Sequence, residues 1–197
     1  MIFASGCAQK AGGGAVEGNA GDEGNAGDYE VITETVTGKT EILEINIKYP
    51  VIKGMRNENA QDRINGKILE KVEEYKKMYF EDINDALQTI YTDYEVKLKG
   101  GNMLSVLFYI SSYVEGAAHP NNTEDAVTFD LETGNEMELK DIFKPDVDYR
   151  KALNPILEEK VNNLEFELLE EYKGIEEDQL YFLTDNGLVV FYQTYAY

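Results

Sequence analysis

The chain has 197 residues, which is enough for one ordinary domain and a tail or for two small, intimately packed domains, and we expect one compact unit. Its 38 acidic residues against 18 basic ones give a formal net charge of −20, so its surface repels nucleic acid and anionic lipid. We therefore expect no nucleic-acid partner and expect cationic proteins to be attracted.

The first seven residues end in Cys7, the only cysteine, so an internal disulfide is excluded. Ala4, Ser5 and Gly6 are the small residues that a signal peptidase site requires. We interpret residues 1–7 as the remnant of a lipoprotein signal and Cys7 as its lipidation site, the alternative being an ordinary cysteine. Since no other run approaches the roughly 20 apolar residues of a membrane span, we expect an extracytoplasmic protein, lipid-anchored to the bacterial cell membrane by this group alone.

Residues 8–28 contain seven glycines and the hexapeptide EGNAGD twice in succession. Such a segment has almost nothing to bury and cannot offset its own ordering entropy. It is predicted to be a flexible tether, with an average span of about 25 Å at roughly 5 to 6 Å times the square root of its length.

Two strands and a helix are predicted next. β-Branched residues over 31–36 and alternating apolar residues over 43–49 indicate strands, and Pro50 is expected to end the second. From Asn57, apolar residues at helical spacing predict one long or kinked helix as far as about Ile90.

The stretch from Tyr91 to Phe143 reads as adjoining strands with their turns between them. Residues 94–99 alternate like an edge strand, a Gly-Gly-Asn turn follows, and residues 103–113 are apolar on both faces, as in a central strand. Residues 126–131 alternate again, turn at 132–135 and return over 136–143.

A second amphipathic helix is predicted over 148–172, ended by Gly174, with Pro155 either its first residue or a bend. The turn at 185–187 between two apolar runs predicts a hairpin of 181–184 with 188–192. The whole pattern predicts an α+β fold, an antiparallel β-sheet with two amphipathic helices packed on it.

Separated stretches of the chain also resemble one family. They are INIKYPVI at 45–52 with NENAQDRIN at 57–65, GAAHP at 116–120, TFDLETG at 128–134 with LKDIF at 139–143, and FLTDNGL at 182–188. They are similar to the secreted PdaC/RsiV-like domain pair of unknown function. The resemblance implies one such domain over 29–197, truncated at its C-terminal end.

In that family the pair occurs beside a peptidoglycan deacetylase domain, on the outside of a lysozyme-sensing anti-sigma factor, and alone in lipoproteins. Neither the deacetylase domain nor a membrane span with an anti-sigma segment is found in these 197 residues. The resemblance therefore implies a binding or sensing module at the cell wall, with a cationic muramidase such as lysozyme, or peptidoglycan, as its expected partner.

Candidate sites are few. His119 is the only histidine, so a catalytic zinc site of the usual geometry is not expected, and we predict no metal, no cofactor and no enzyme activity. Small residues beside His119 would let a ligand approach the backbone, although a hydrogen-bonded turn is the simpler interpretation. The predicted ligand-binding residues are Tyr113, Gly116, His119 and Pro120.

Four further possibilities remain open. The 38 carboxylates allow a wall-active hydrolase that uses two of them, and a structural spacer without a ligand is a further alternative. The acid-rich run over 158–178 is either a solvated helix face or a docking surface for a basic protein. Tyr109, Tyr113, Tyr192 and Tyr195 are candidates for a shared exposed patch that stacks on sugars.

Overall fold

The computed structural model describes residues 28–79, 86–164, 168 and 170–193. It confirms the α+β class. Its elements in chain order are β1 Glu30–Lys39, β2 Leu43–Lys53, α1 Glu58–Tyr75, β3 Gln88–Gly100, β4 Met103–Val114, β5 Asn121–Asp130, a 3₁₀ turn Leu139–Ile142, α2 Tyr149–Asn162, β6 Tyr181–Thr184 and β7 Gly187–Val190.

The first five strands form one sheet in the order β1-β2-β3-β4-β5, and β6 with β7 forms a separate hairpin. All neighbouring pairs are antiparallel except β2 and β3, which are parallel. The sheet is therefore mixed, where an antiparallel one was predicted. The cause is α1, which connects β2 to β3. It brings the chain back to the end of the sheet where β2 began, so that β3 runs parallel to β2, as a crossover connection requires.

The first face of the sheet packs on α1. Buried Ile64, Ile68 and Val72 of the helix meet buried side chains of the strands, which include Ile47, Leu104, Val106, Phe108, Val127 and Phe129. The 3-4 spacing of the apolar helix residues places them on one side, so the helix covers this face with a single stripe.

The second face is covered at one end only. There the hairpin packs Phe182, Val189 and Phe191 against Leu107, and α2 contributes Leu153 and Leu157 to an adjoining cluster. Since β4 is covered from both sides at this end, its prediction as a central strand, apolar on both faces, is confirmed.

The ends of α1 and β2 differ from the sequence-based expectation. α1 ends at Tyr75, and Ile90 is a buried residue of β3 rather than of the helix. β2 continues through Pro50 to Lys53, because β3 pairs with it only as far as Ile47 and a proline there costs no bond to that neighbour.

α2 begins at Tyr149, after Asp148 caps it through the backbone N–H of Lys151, and Pro155 lies inside it. It ends at Asn162 rather than Tyr172. Just beyond, the Asn163 side chain donates to the Glu159 carbonyl oxygen at 2.8 Å, and this local bond competes with further helix. No helix among the described residues is long and apolar enough to cross a membrane.

Candidate functional site

The uncovered end of the second sheet face forms what we call the open groove. Successive residues of a strand point to opposite faces, so alternate residues of four neighbouring strands are presented together here. They are Asn46 and Lys48 of β2, Tyr91 and Asp93 of β3, Tyr109 and Ser111 of β4, and Asn122 and Glu124 of β5.

The strand register arranges these eight side chains in two rows across the sheet. Asn46, Tyr91, Ser111 and Asn122 are consecutive partners and make an uncharged row. The second row lies two residues along each strand, about 7 Å away at 3.2 to 3.4 Å per residue. It consists of Lys48, Asp93, Tyr109 and Glu124.

The groove has a volume of about 770 Å³, which lies within the range of about 300 to 1,000 Å³ typical of small-molecule sites. One wall is made by Tyr192 and Gln193, which follow the hairpin. The Gln193 side-chain amide accepts from the Glu124 N–H at 3.1 Å and donates to the Glu124 carbonyl oxygen. It therefore pairs with β5 as a strand residue would and fixes the wall to the sheet.

Two of the three tyrosines in the groove are held by their neighbours. The Lys97 ammonium lies 3.2 Å from the Tyr109 hydroxyl oxygen and 5.8 Å from its ring centroid. The Tyr192 hydroxyl donates to the Tyr172 hydroxyl at 3.1 Å, and the two rings meet edge to face. The third, Tyr91, is 43% exposed and open to a ligand.

The charge of the groove is small. Lys48 and Asp93 lie beside each other with Nζ and Oδ2 3.2 Å apart, so their opposite charges cancel. Glu124 adds one negative charge. A formal charge of −1 in a chain of net −20 makes the groove nearly neutral by comparison.

A second cavity of about 480 Å³ runs along β5 and is distinctly acidic. Its lining includes Lys71 and Lys140 together with five carboxylates, those of Asp125, Glu136, Glu138, Glu177 and Asp178. We call it the acidic cleft.

At the base of the acidic cleft, Asp125 accepts from the Tyr75 hydroxyl at 2.7 Å and from the Lys71 ammonium at 2.9 Å. Burial, followed by the negative charge of Asp125, raises the pKa of Tyr75 far above its usual range. Tyr75 is thus a permanent donor to Asp125, and this network ties α1 to the edge strand.

The predicted ligand-binding residues lie elsewhere: Gly116, His119 and Pro120 are on the exposed loop that joins β4 to β5, and Tyr113 is near the end of β4. The Tyr113 hydroxyl donates to the Ala117 carbonyl oxygen at 3.2 Å, and His119 Nδ1 lies 3.0 Å from the Pro120 carbonyl oxygen. Gly116 has a φ of 91°, as a tight turn requires. None of these residues lines the open groove or the acidic cleft, and their role in binding stays a prediction.

Two other predicted features have mixed outcomes. Of the four tyrosines expected to share a patch, Tyr109 and Tyr192 do meet in the open groove, and Tyr91 joins them in place of Tyr113. Tyr195 and Cys7 lie outside the described residues. Within the part of the chain that the structure describes, no three His, Cys, Asp or Glu side chains converge as metal ligands would.

Sequence reasoning missed Asn46, Tyr91, Ser111 and Asn122. Asn46 lies in a strand where polar and apolar residues alternate, a pattern that predicts a solvated outer face, whereas Ser111 lies in a mainly apolar strand and Asn122 in a polar run. The signal that was available is aromatic: Tyr91 and Tyr109 occupy that outer face, where charged residues are usual.

Two family models match the chain. The model described as "Deacetylase PdaC" matches residues 36–122, and the model described as "Protein of unknown function (DUF3298)" matches residues 140–197. The chain is a PdaC and DUF3298 domain pair. The PdaC match contains β2, β3 and β4, and the DUF3298 match contains α2, β6 and β7. The PdaC part thus supplies most of the floor of the groove, and Tyr192 and Gln193 of the DUF3298 part supply its wall.

Solved structures of the DUF3298 family are similar to this chain. A family member from Bacteroides fragilis NCTC 9343 has 19% sequence identity and a TM-score of 0.48, over 68% of each chain. A DUF3298 family protein from Pseudomonas aeruginosa PAO1 has 13% identity and a TM-score of 0.43, over 68% of this chain and 65% of that one. No curated protein matches the chain.

Proposed function

We propose that this PdaC and DUF3298 domain pair is an extracytoplasmic binding or sensing domain, anchored by a lipid at Cys7 and acting at the cell wall. The observation that carries the proposal is the open groove, a preformed concave surface on which Asn46, Tyr91, Ser111 and Asn122 lie outside the hydrophobic clusters of the fold. Large concave pockets with convergent polar groups are the usual ligand sites of proteins.

The solvent exposure and the residue types of the groove favour binding over catalysis. Asp93 is 63% exposed in its side chain and paired with Lys48, whereas a catalytic acid is typically desolvated. His119, the only histidine, lies on a loop outside the groove. A metal-dependent deacetylase needs several histidines and carboxylates around one ion, and these 197 residues contain a single histidine.

Co-sedimentation with purified peptidoglycan sacculi tests the proposal. The full chain should pellet saturably at 0.15 M salt, Tyr91→Ala should weaken pelleting, and Tyr79→Ala should not. Tyr79 is a matched control because it is 39% exposed and does not line the groove. Failure of the wild-type chain to pellet at any sacculus concentration would contradict a wall-binding role.

The lipid anchor is tested separately. The precursor with a complete signal should incorporate labelled palmitate in a bacterial host, and Cys7→Ser should abolish the label. Label that persists in Cys7→Ser would show that the anchor, if any, lies elsewhere.

A wall-active hydrolase is the second candidate, because Asp93 and Glu124 share one groove and glycoside hydrolysis requires two carboxylates. Under this alternative, sacculi would release soluble sugar products, and either Asp93→Asn or Glu124→Gln would stop the release. We expect no release from the wild-type chain.

A further inference from the structure

We infer that the open groove is a carbohydrate site that holds an uncharged sugar chain across strands β2 to β5, with Tyr91 as its stacking platform. The inference names the ligand class of the groove, and its cell-wall setting rests on the proposed function.

The chemistry of the uncharged row fits a sugar. A pyranose ring has an apolar face of C–H groups and a rim of hydroxyls that both donate and accept. The exposed Tyr91 ring offers a flat apolar surface for that face. Asn46 and Ser111 flank it on the two neighbouring strands, and Asn122 follows Ser111 on β5. Amide and hydroxyl groups also both donate and accept.

The dimensions suit a chain better than a single ring. Four strands spaced about 4.8 Å apart make the row about 14 Å long, which is wider than one sugar. Tyr192 and Gln193 close one end of it. An oligosaccharide lying across the strands would contact each residue of the row in turn.

The backbone argues against an extended peptide as the occupant. In the floor of the groove, N–H and C=O groups are engaged in ladders between neighbouring strands, and the Glu124 groups at the edge are taken by Gln193. A peptide lying over this floor would gain no main-chain pairing with it, and such pairing is the main source of affinity when a strand is added to a sheet.

Charge argues against a cationic ligand in this cavity. The formal charge of the groove is −1, whereas the acidic cleft holds five carboxylates against two lysines. A cationic segment would be drawn to the cleft, and an uncharged one loses nothing by occupying the groove.

The groove is also prepared for its ligand. Lys97 fixes Tyr109, Tyr172 fixes Tyr192, and Gln193 is bonded to β5. Side chains that are already ordered lose little entropy on binding, so weak stacking contacts produce measurable affinity.

Calorimetric titration of the full chain with defined probes tests the inference. The uncharged probes are chitopentaose and cellopentaose, and the charged ones are pentagalacturonate and pentalysine, all at 0.15 M salt. At least one uncharged pentasaccharide should bind with an association constant about ten times that of either charged probe, an advantage of the size expected for well-placed aromatic stacking.

Variants locate the site. Tyr91→Ala should lower the association constant about tenfold and Tyr91→Phe by less than about threefold, since stacking survives the loss of the hydroxyl. Tyr79→Ala should leave it unchanged, and equal melting temperatures would show that all variants fold. An unchanged constant for Tyr91→Ala, or no heat from either uncharged probe, would overturn the inference.

The two proposals fail in different ways. If sacculi pellet the protein and neither sugar binds, the wall function stands and the carbohydrate site falls. If the sugars bind through Tyr91 and sacculi do not pellet the protein, the site stands and the wall setting falls. Tighter binding of pentalysine, lost in Tyr91→Ala, would replace the sugar with a basic peptide.

Discussion

Gly134 is a position where only glycine fits. Its φ is 74°, and a Cβ there would lie 2.4 Å from the Ala60 carbonyl oxygen in the first turn of α1. Asn57 and Arg63 donate to the carbonyl oxygens of Glu132 and Thr133, which precede Gly134. The turn that contains Gly134 is therefore held against the helix and cannot move away.

We expect Gly134→Ala to lower the free energy of unfolding by about 2 to 4 kcal/mol, because it adds backbone strain to a collision with backbone atoms. Gly101→Ala is the matched control: its φ is 58° with no atom within 4 Å of the added Cβ, so strain alone should cost about 1 kcal/mol. Urea unfolding measures both. Equal losses would show that the turn moves away from α1.

Buried tyrosines should make the protein sensitive to alkali. Burial raises the pKa of Tyr29 to about 12, and it raises the pKa values of Tyr75 and Tyr181 further. In the unfolded chain these groups ionise near pH 10. Because the pKa of each of these tyrosines is higher in the folded protein than in the unfolded chain, its contribution to stability is fully present below pH 10 and is lost as the pH rises above 10.

Above pH 10 each such tyrosine should lower the free energy of unfolding by about 1.4 kcal/mol per pH unit. For Tyr29 this loss should level off near pH 12, where the folded protein also ionises. Tyr75→Phe removes one titrating group, so its stability should fall less steeply between pH 10 and 12 than that of the wild type. Urea unfolding at several pH values measures the two slopes. Parallel curves would mean that Tyr75 does not resist ionisation.

At the scale of elements, one polar side chain of α1 pairs with the backbone of β2 in addition to the apolar packing between them. The Asn65 amide accepts from the Ile52 N–H at 2.8 Å and donates to the Ile52 carbonyl oxygen at 2.9 Å. Here β2 has passed the end of its pairing with β3, and Asn65 takes the place of the missing strand. Gln193 does the same for Glu124 on β5.

Asn65→Ala should cost about 2 kcal/mol or more, because Ile52 is fully buried and both of its backbone groups would lose their partner. Asn59→Ala, at an exposed position of the same helix, should change stability by less than about 0.5 kcal/mol. Denaturant unfolding of both variants measures the two losses of stability. A loss for Asn65→Ala as small as that for Asn59→Ala would mean that water takes over the hydrogen bonds of the Asn65 side chain.

Most elements were predictable from local pattern. The apolar run 103–113 required a strand covered on both faces, and Asp148 and Asn57 cap the helices as their residue types favour. The end of α1 was not predictable, because the residues up to Ile90 keep helical spacing although Ile90 itself belongs to a strand. Spacing in a short apolar segment fits either structure until a neighbouring strand selects one.

The open groove could not be predicted for a related reason. Its rows exist because Asn46 lies beside Tyr91, and this pairing follows from the parallel register of β2 and β3. Register is a long-range property: a slip of one residue would send Tyr91 to the face of α1. Residue type identified Tyr109 and Tyr192 as candidates, but only the sheet brings them to Tyr91.

For the whole molecule, the PdaC and DUF3298 parts share a core. Ser105 of β4 accepts from the Leu183 N–H of β6 at 3.0 Å, and its hydroxyl also meets the Thr128 hydroxyl at 2.8 Å, all in the buried interior. Phe182 and Val189 of the hairpin cover Leu107 on the sheet. Neither part therefore has a complete core by itself.

We expect one cooperative thermal transition for the full chain, with the calorimetric and van't Hoff enthalpies equal within error. Ser105→Ala should lower the melting temperature of the whole molecule, because the buried Leu183 N–H loses its acceptor. Two transitions, of which Ser105→Ala moves only one, would show that the parts unfold independently.

The net charge of −20 bears on a protein partner rather than on a sugar. Because the acidic cleft has five carboxylates and two lysines, we expect a basic segment of the proposed partner, a cationic muramidase such as lysozyme, to bind there rather than in the open groove. Opposite charges speed encounter, but the Debye length falls from about 30 Å at 0.01 M salt to about 10 Å at 0.1 M, so attraction by charge alone fades.

A specific complex should keep an affinity of about 1 μM or better at 0.15 M salt, close to 8 kcal/mol. It should weaken on Glu177→Gln with Asp178→Asn in the cleft and not on Glu30→Gln with Glu34→Gln, which removes the same charge from β1. Calorimetry with lysozyme and with an unrelated protein of equal positive charge measures this. Equal affinity for both proteins, or equal loss in both double variants, would show that net charge alone causes the attraction. The open groove would then remain the candidate ligand site.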